Sequence, residues 1–437
     1  MEKTYQKVGI LGFGEKTGVS LLKKIHAKEF HIFDRADSKK INDLVSQSSK
    51  LNQQVTVYSD DPSLMPSKLD ILFISPGVPF DHPLIVQAKK HNIKVQTEID
   101  FACENLKIPM IGITGSLGKS TMAKLCHDLL QRKYNHVFLG GNYGTTLVEA
   151  VDQDFDIAVV EISSFQLRES FLFSPYIAIL LNLYDNHLDR HKTFKDYQDS
   201  KLKIFQNLSD KDVALINFDQ KNLMPTPNLA RTLTFSEKGS TNADAYYKDG
   251  NFYVFGRKIS VETFGLPKAQ LLALLLIAHI ENISIQDFQA TLSSYQRLPH
   301  RNQIVRHEPY IFVNDSKSTT PDATLFAISQ YSQPVHLIMC GQNKGISIDS
   351  FVQKIHEIPN IMSITVFGEM GTELFQKISH PNIVLTKSLE FALVEIFRTI
   401  KRNDVVLFSP GFASFDQYKN MEERGNHFTR LVKSLEI

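Results

Sequence analysis

The chain has 437 residues, 42% of them hydrophobic and 22% charged, with 48 basic against 47 acidic side chains. This is the composition of a soluble globular protein, long enough for about two to four domains, and the near balance of charge excludes a whole-chain electrostatic footprint for nucleic acid or a membrane surface. Three scattered cysteines, Cys103, Cys126 and Cys340, show no CxxC spacing; they point to a reducing compartment and away from structural zinc. The start, Met1 to Val8, lacks the apolar core of a signal peptide, and the longest apolar run, Leu271 to Ile280, is too short to span a bilayer. A cytoplasmic protein is expected.

In chain order, Val8-Gly-Ile-Leu-Gly-Phe-Gly-Glu-Lys-Thr-Gly18 reads as a strand running into a glycine turn, followed by a helix over Val19 to Lys28 and a second strand, His31 to Asp34. Asp34 stands where a dinucleotide fold places an acid on a ribose. The spacing Gly-x-Gly-x-x-x-Gly is one residue longer than that fingerprint, so a tight turn holding another nucleotide, or none, fits as well. Leu69 to Pro79 is a further buried strand, stopped by Ser75-Pro-Gly77 where doubly wound sheets bind ligands. Strands alternating with helices predict a parallel α/β sheet, and Pro109 marks a boundary.

Next comes the stretch on which the chain is organised, Ile111-Gly-Ile-Thr-Gly-Ser-Leu-Gly-Lys-Ser-Thr-Met122. A β-prone run, Met110 to Ile113, ends in a glycine loop and passes into the helical pattern Ser120 to Leu130. Gly115 and Gly118 leave room for backbone N–H groups to close round phosphate oxygens, and the positive end of the helix adds to the attraction. Lys119 would reach the outer phosphates and Ser120 or Thr121 a Mg²⁺ ion. Ile113 stands where the usual phosphate loop begins with glycine, so an ordinary turn capped by Ser120 is the competing reading.

Gly140 to Gly144 reads as a glycine turn and Phe155 to Glu161 as a strand ending in a carboxylate. Glu161 is either a second metal-holding element or a strand-end acid facing water. Tyr176 to Asn182 is the next strand and delivers Asp185-Asn-His-Leu-Asp-Arg-His191; His187 is either structural or a metal ligand on the rim that carries Glu161. Tyr197 to Phe205 is helical, with Lys201 in its middle, ordinarily a solvated charge. Beyond Leu298-Pro-His-Arg301, the strand Tyr310 to Asp315 is followed by Ser316 to Asp322 opening a helix. Val335 to Gly345 and Asp404 to Asp416 are strands ending in small-residue turns. This region too reads as parallel α/β, with a rim for an anionic substrate.

Six stretches together carry a resemblance. Thr114-Gly-Ser-Leu-Gly-Lys-Ser-Thr121, Glu161-Ile-Ser-Ser-Phe-Gln-Leu167, Asn186-His-Leu-Asp-Arg-His191, Leu298-Pro-His-Arg301, Asn314-Asp-Ser-Lys317 and Ser409-Pro-Gly-Phe-Ala-Ser-Phe-Asp-Gln-Tyr-Lys-Asn420 follow in order the motifs of the Mur ligases. These are ATP-dependent amide-bond ligases of bacterial peptidoglycan precursor synthesis, and the chain most resembles the branch that adds D-glutamate. The resemblance implies three α/β domains. Residues 1–108 would form a Rossmann-like domain for a UDP substrate, 109–297 a central P-loop-type mononucleotide-binding ATPase domain, and 298–437 a Rossmann-like amino-acid-binding domain. It implies that ATP phosphorylates the alanine carboxylate of UDP-N-acetylmuramoyl-L-alanine and that D-glutamate attacks the acyl phosphate, with two Mg²⁺ ions and a monomeric protein.

By the same resemblance Lys119, His187 and Lys201 are catalytic, and Gly115, Ser116, Leu117, Gly118, Lys119, Ser120, Thr121, Arg301, Asp315 and Lys317 bind ATP. Ser120, Glu161, His187 and a carbamylated Lys201 hold metal; Gly14, Thr17, Ser75, Gly77, Asn142 and Ser163 hold the UDP substrate. Thr319, Lys344, Ser414 and Phe415 face D-glutamate, and His300 stands with the ATP group. The chain departs from the family pattern at Leu117 and Asn186, at Arg35-Ala36, at Met421, and over Gly265 to Leu271, which lacks Gly-x-His-Asn-x-x-Asn. Other readings are a sibling or folate polyglutamate-type ligase, a nucleotide-binding regulator without turnover, and, from Val8 to Gly18 alone, an NAD-dependent oxidoreductase.

Overall fold

A computed structural model describes residues 4–48, 53–66, 68–79, 81–184, 190–223, 230–343 and 347–435. They divide into two compact units, Met1–Leu183 with Lys195–Ser294, and Tyr184–Phe194 with Tyr295–Ile437.

The first unit carries two sheets. One is built from β1 (Thr4–Leu11), β2 (His26–Phe33), β3 (Gln54–Tyr58), β4 (Ile71–Ile74) and β5 (Lys94–Thr97), in the order β3-β2-β1-β4-β5. Every pairing in it is parallel. The helix expected over Val19 to Lys28 is shorter than its pattern: it spans Thr17–Lys24, and the chain is already a strand at His26. Pairing decides this, because Thr4 and Tyr5 of β1 register with His26 and Ala27, and the ladder outweighs a helical preference of a few tenths of a kcal/mol per residue.

The central sheet comprises β6 (Met110–Thr114), β7 (Val137–Gly141), β8 (Ile157–Glu161), β9 (Ile177–Leu180), β10 (Val213–Asn217), β11 (Arg231–Ser236), β12 (Ala245–Lys248), β13 (Asn251–Val254) and β14 (Arg257–Ile259). Their order, β14-β13-β12-β11-β10-β9-β6-β8-β7, sets β6 between β9 and β8, so the segment leading to the glycine loop is buried along its length. Parallel pairing gives way to an antiparallel meander at β12 to β14. Gly140 and Gly141, expected in a turn, close β7, and the turn follows them. The apolar run Leu271 to Ile280 lies in the buried helix Lys268–Ile280, and no helix among the described residues is long and apolar enough to cross a membrane.

The second unit holds β15 (Gln303–Arg306), β16 (Ile311–Asn314), β17 (Val335–Cys340), β18 (Ile361–Phe367), β19 (Ile383–Leu385) and β20 (Val405–Gly411), ordered β15-β16-β20-β17-β18-β19. It is parallel except at its edge, where β15 runs antiparallel to β16, a departure from the all-parallel expectation. Both faces are covered. Val335, Leu337 and Met339 enter one core with Leu407, while Ile338 and Cys340 enter the other with Phe408 and Phe428, as a period of two requires. The residues 316–320 form a loop, and the helix begins only at Pro321, where fixed φ suits a first turn.

Candidate active site

The phosphate loop leaves β6 and enters the helix Lys119–Leu130. Gly118, immediately before the helix, has φ +79°, a conformation that favours glycine, and a Cβ there would displace the Gln270 amide, whose Nε2 would lie 2.2 Å away. Gln270 Nε2 donates to Gly118 O at 2.8 Å. From the exit of β9, Asn182 O accepts from Ser116 N at 3.0 Å, and the Asn182 side chain accepts from Leu117 N at 2.8 Å and donates to Leu117 O at 3.1 Å. The loop is thereby fixed by its backbone, which Leu117 supplies as well as an asparagine would.

Lys119 Nζ donates to Gly115 O at 2.8 Å and Ser116 O at 3.0 Å, curled over its own loop. Ser120 Oγ donates to Glu161 Oε2, and Asn142 Nδ2 donates to Glu161 Oε1 at 2.6 Å. Glu161 is 1% exposed, so the water-facing alternative for this strand-end acid is overturned. Position 201 also departs from the solvated reading. Lys201 is 1% exposed, and its Nζ donates to Gly115 O at 2.9 Å and Thr114 Oγ1 at 3.3 Å. It sits 4.9 Å from the Tyr197 ring centroid, and the Tyr197 hydroxyl is 2.9 Å from Ser116 Oγ. Burial, reinforced by the nearby Lys119 charge and opposed by Glu161, holds the Lys201 amine well below the usual lysine value. His187 lies outside the described residues.

At the rim of the first sheet is a cavity of about 700 Å³, lined by Gly14, Thr17, Ser75, Gly77 and Asn142. Asp34 also lines it, but its carboxylate is engaged with backbone, taking Phe13 N at 2.6 Å and Ala36 N at 2.7 Å. Those bonds fix the orientation of the carboxylate at the cavity wall and leave each oxygen a further acceptor site. Ser163 caps the helix Ser164–Glu169 in a reciprocal arrangement with Gln166. Glu98 and Gln166, unremarked in the sequence, share this cavity and meet at 3.0 Å. Burial pushes the Glu98 carboxyl up to about 7.

In the second unit Asp315 ends β16 and is buried; it accepts from Ser318 Oγ, from Ser409 Oγ at 2.8 Å and from Asn302 N at 2.9 Å. Burial raises its pKa to about 6 against the pull of those donors. Lys317 pairs with Glu422 at 3.2 Å, and its backbone N–H donates to His300 O at 3.0 Å. Arg301 and Thr319 are half-buried, Ser414 is buried and Phe415 is exposed. Lys344 lies outside the described residues. Sequence reasoning missed Arg424. Fully buried, it donates to Ser316 Oγ at 3.0 Å, Ser316 O at 2.9 Å and Phe412 O at 3.0 Å, tying together the loops after β16 and β20. It lies on the helix Met421–Ser434, which was not singled out in the sequence.

Glu161 and Ser120 offer oxygen donors beside the phosphate loop, the chemistry a hard cation such as Mg²⁺ prefers. Among the described residues no three His, Cys, Asp or Glu side chains cluster as a metal site. A strand, a phosphate loop with its lysine and a buried carboxylate on the neighbouring strand define the class: a nucleotide-using α/β enzyme whose chemistry is on the rim of its central sheet.

Residues 113–279 match the family model described as the Mur ligase middle domain. The chain is 33% identical to the UDP-N-acetylmuramoylalanine--D-glutamate ligase of Thermoanaerobacter sp. (strain X514), covering 84% of this chain and 85% of the relative. It is 32% identical to the protein of the same name from Lactobacillus gasseri, covering 99% and 98%. Among solved structures, the MurF ligase from Thermotoga maritima in complex with ADP superposes with a TM-score of 0.64 at 18% identity, covering 93% of this chain and 96% of that one. MurC of the same organism gives 0.59 at 16% identity, covering 98% and 100%; these two show the fold. The chain belongs to the Mur ligase family.

Proposed function

We propose that this chain is an ATP-dependent ligase that forms an amide bond between UDP-N-acetylmuramoyl-L-alanine and D-glutamate, for peptidoglycan precursor synthesis in the cytoplasm. The carrying observation is the buried group Ser120, Glu161 and Lys201 around the phosphate loop, in a chain 32% identical along 99% of its length to a ligase of that name.

In this reading an oxygen of the alanine carboxylate attacks the γ-phosphorus of ATP, ADP leaves, and an acyl phosphate results. The amine of D-glutamate then attacks the acyl carbon, inorganic phosphate leaves with the former carboxylate oxygen, and the amine sheds a proton. The protein positions the reactants and neutralises charge. The loop amides of residues 115–121 enclose the phosphates, and Lys119 exchanges its loop carbonyls for phosphate oxygens. Ser120, Glu161, His187 and Lys201 would hold Mg²⁺, two ions in all, which supply charge neutralisation when bound. Lys201 suits carbamylation because burial and the nearby Lys119 charge lower the pKa of its amine, and the neutral amine is the form that reacts with carbon dioxide.

Gly14, Thr17, Ser75, Gly77, Asn142 and Ser163 are assigned to the UDP substrate; for the first five, the shared cavity supports the assignment. Arg301, Asp315 and Lys317 are assigned to ATP, and Thr319, Lys344, Ser414 and Phe415 to D-glutamate. The division at 1–108, 109–297 and 298–437 and a monomeric state complete the proposal. The test is incubation with ATP, Mg²⁺, UDP-N-acetylmuramoyl-L-alanine and either D- or L-glutamate, followed by phosphate release and product mass. Product with the D-isomer alone is expected; turnover with another amino acid, or none, refutes the assignment.

A further inference from the structure

The wall of the first-sheet cavity carries two polar atoms that the proposed function leaves unused. Glu98 follows β5 directly, opens the helix Glu98–Asn105 and is 1% exposed, although it lines the cavity. Its Oε1 accepts from Gln166 Nε2, whereas Oε2 is buried without a hydrogen-bond partner. Thr146, 4% exposed, lines the same cavity, and its Oγ1 is also buried and unpartnered. It precedes the short turn Leu147–Ala150 without capping it. Both residues are thus nearly closed to solvent although they line the cavity. A buried polar atom left unpaired is destabilising, and two of them in one cavity call for a ligand that repairs both.

The orientation of Glu98 follows from its neighbour. Gln166 Oε1 already accepts from Ser163 N at 3.0 Å and Ser163 Oγ at 2.9 Å, so its Nε2 is the end that faces Glu98. Glu98 therefore receives a donor on Oε1 and presents Oε2 as a second acceptor. In its ionised form it cannot be satisfied by a diphosphate, because phosphate oxygens are themselves anionic acceptors. The matching group is a neutral donor; the ribose and uracil of UDP carry such donors too, and titration with UDP separates them from a hydroxyl or acetamido N–H of the second sugar.

We propose that Glu98 and Thr146 form a polar subsite that hydrogen-bonds a neutral O–H or N–H group on the sugar side of the nucleotide-sugar substrate, with Glu98 Oε2 as acceptor. The assignment rests on the ligase reading above and adds to it two substrate-binding residues. Glu98→Gln is a stringent probe. An amide has one acceptor oxygen, so the substituted side chain would turn its NH₂ either to Gln166 Nε2 or to the substrate donor, and one hydrogen bond is lost in either case. Thr146→Val keeps the shape and removes only the hydroxyl.

Calorimetric titration of the full chain with UDP and with UDP-N-acetylmuramoyl-L-alanine, alongside steady-state kinetics, decides the matter. Expected are a rise in Kd and KM for the nucleotide sugar of about tenfold in Glu98→Gln and about threefold in Thr146→Val, with UDP affinity, kcat and the KM for ATP unchanged. Wild-type affinity for the nucleotide sugar in both variants overturns the subsite, and an equal loss of UDP affinity overturns its sugar-side placement. A wild-type protein that does not bind UDP-N-acetylmuramoyl-L-alanine instead overturns the ligase reading. Should Glu98→Gln fail to fold, Thr146→Val decides alone.

Discussion

Each end of the central sheet buries a glutamate close to a lysine and a tyrosine, and the two ends use them differently. At the amino end, Glu281 accepts from Lys133 Nζ at 2.8 Å, from Tyr134 Oη at 3.0 Å and from the Tyr176 hydroxyl. Burial works against its charge, yet those three donors outweigh burial and hold the carboxyl below its ordinary value. At the carboxyl end, Lys201 meets only neutral oxygens of Thr114 and Gly115, and Glu161 takes neutral donors from Ser120 and Asn142. The first cluster is a closed staple joining the helix ends near 134 and 281 to the start of β9. The second leaves the Lys201 amine and the Glu161 side chain unpaired with each other, an arrangement that costs stability and leaves both available to a ligand.

The contrast predicts a separation of activity from stability. Lys119→Ala should lower kcat by about 10³-fold or more with little change in melting temperature, measured by phosphate release and calorimetry; near-wild-type turnover would refute the phosphate-loop assignment. Lys201→Ala should also abolish turnover, with partial recovery on adding short-chain carboxylic acids, which replace a carbamate's oxygens. The companion Lys201→Met should be inactive yet at least as stable as wild type, because a buried amine is exchanged for an apolar chain of similar length. At the other end the order reverses. Tyr176→Phe should lower unfolding free energy by about 1–2 kcal/mol in urea while leaving kcat in place.

The smallest effect concerns Glu98. Its folded pKa is raised from 4.5 to about 7, so between those values the folded state binds more protons than the unfolded one, and stability falls as pH rises through that window. Urea midpoints at pH 5 and pH 8 should differ less in Glu98→Gln than in wild type. An identical pH dependence in both would show that burial does not perturb this carboxyl.

The chain by itself determined the strand Met110–Thr114, its glycine loop and the helix after it, because those signals are local: a β-prone run, glycines where φ is positive, and helical spacing. It also determined the ordered motifs that resemble one ligase family. It misjudged residues 26–28, where a ladder with β1 prevailed over helical pattern, and could not reveal β15 as antiparallel, since register is a property of two strands. The burial of Lys201 was equally out of reach. Its partner Gly115 lies 86 residues away in sequence, and Gln166 lies 68 from Glu98. Only the tertiary structure brings such groups together and withdraws water from them, and solvent withdrawal is what lowers the pKa of a lysine or leaves a glutamate oxygen an unpaired acceptor.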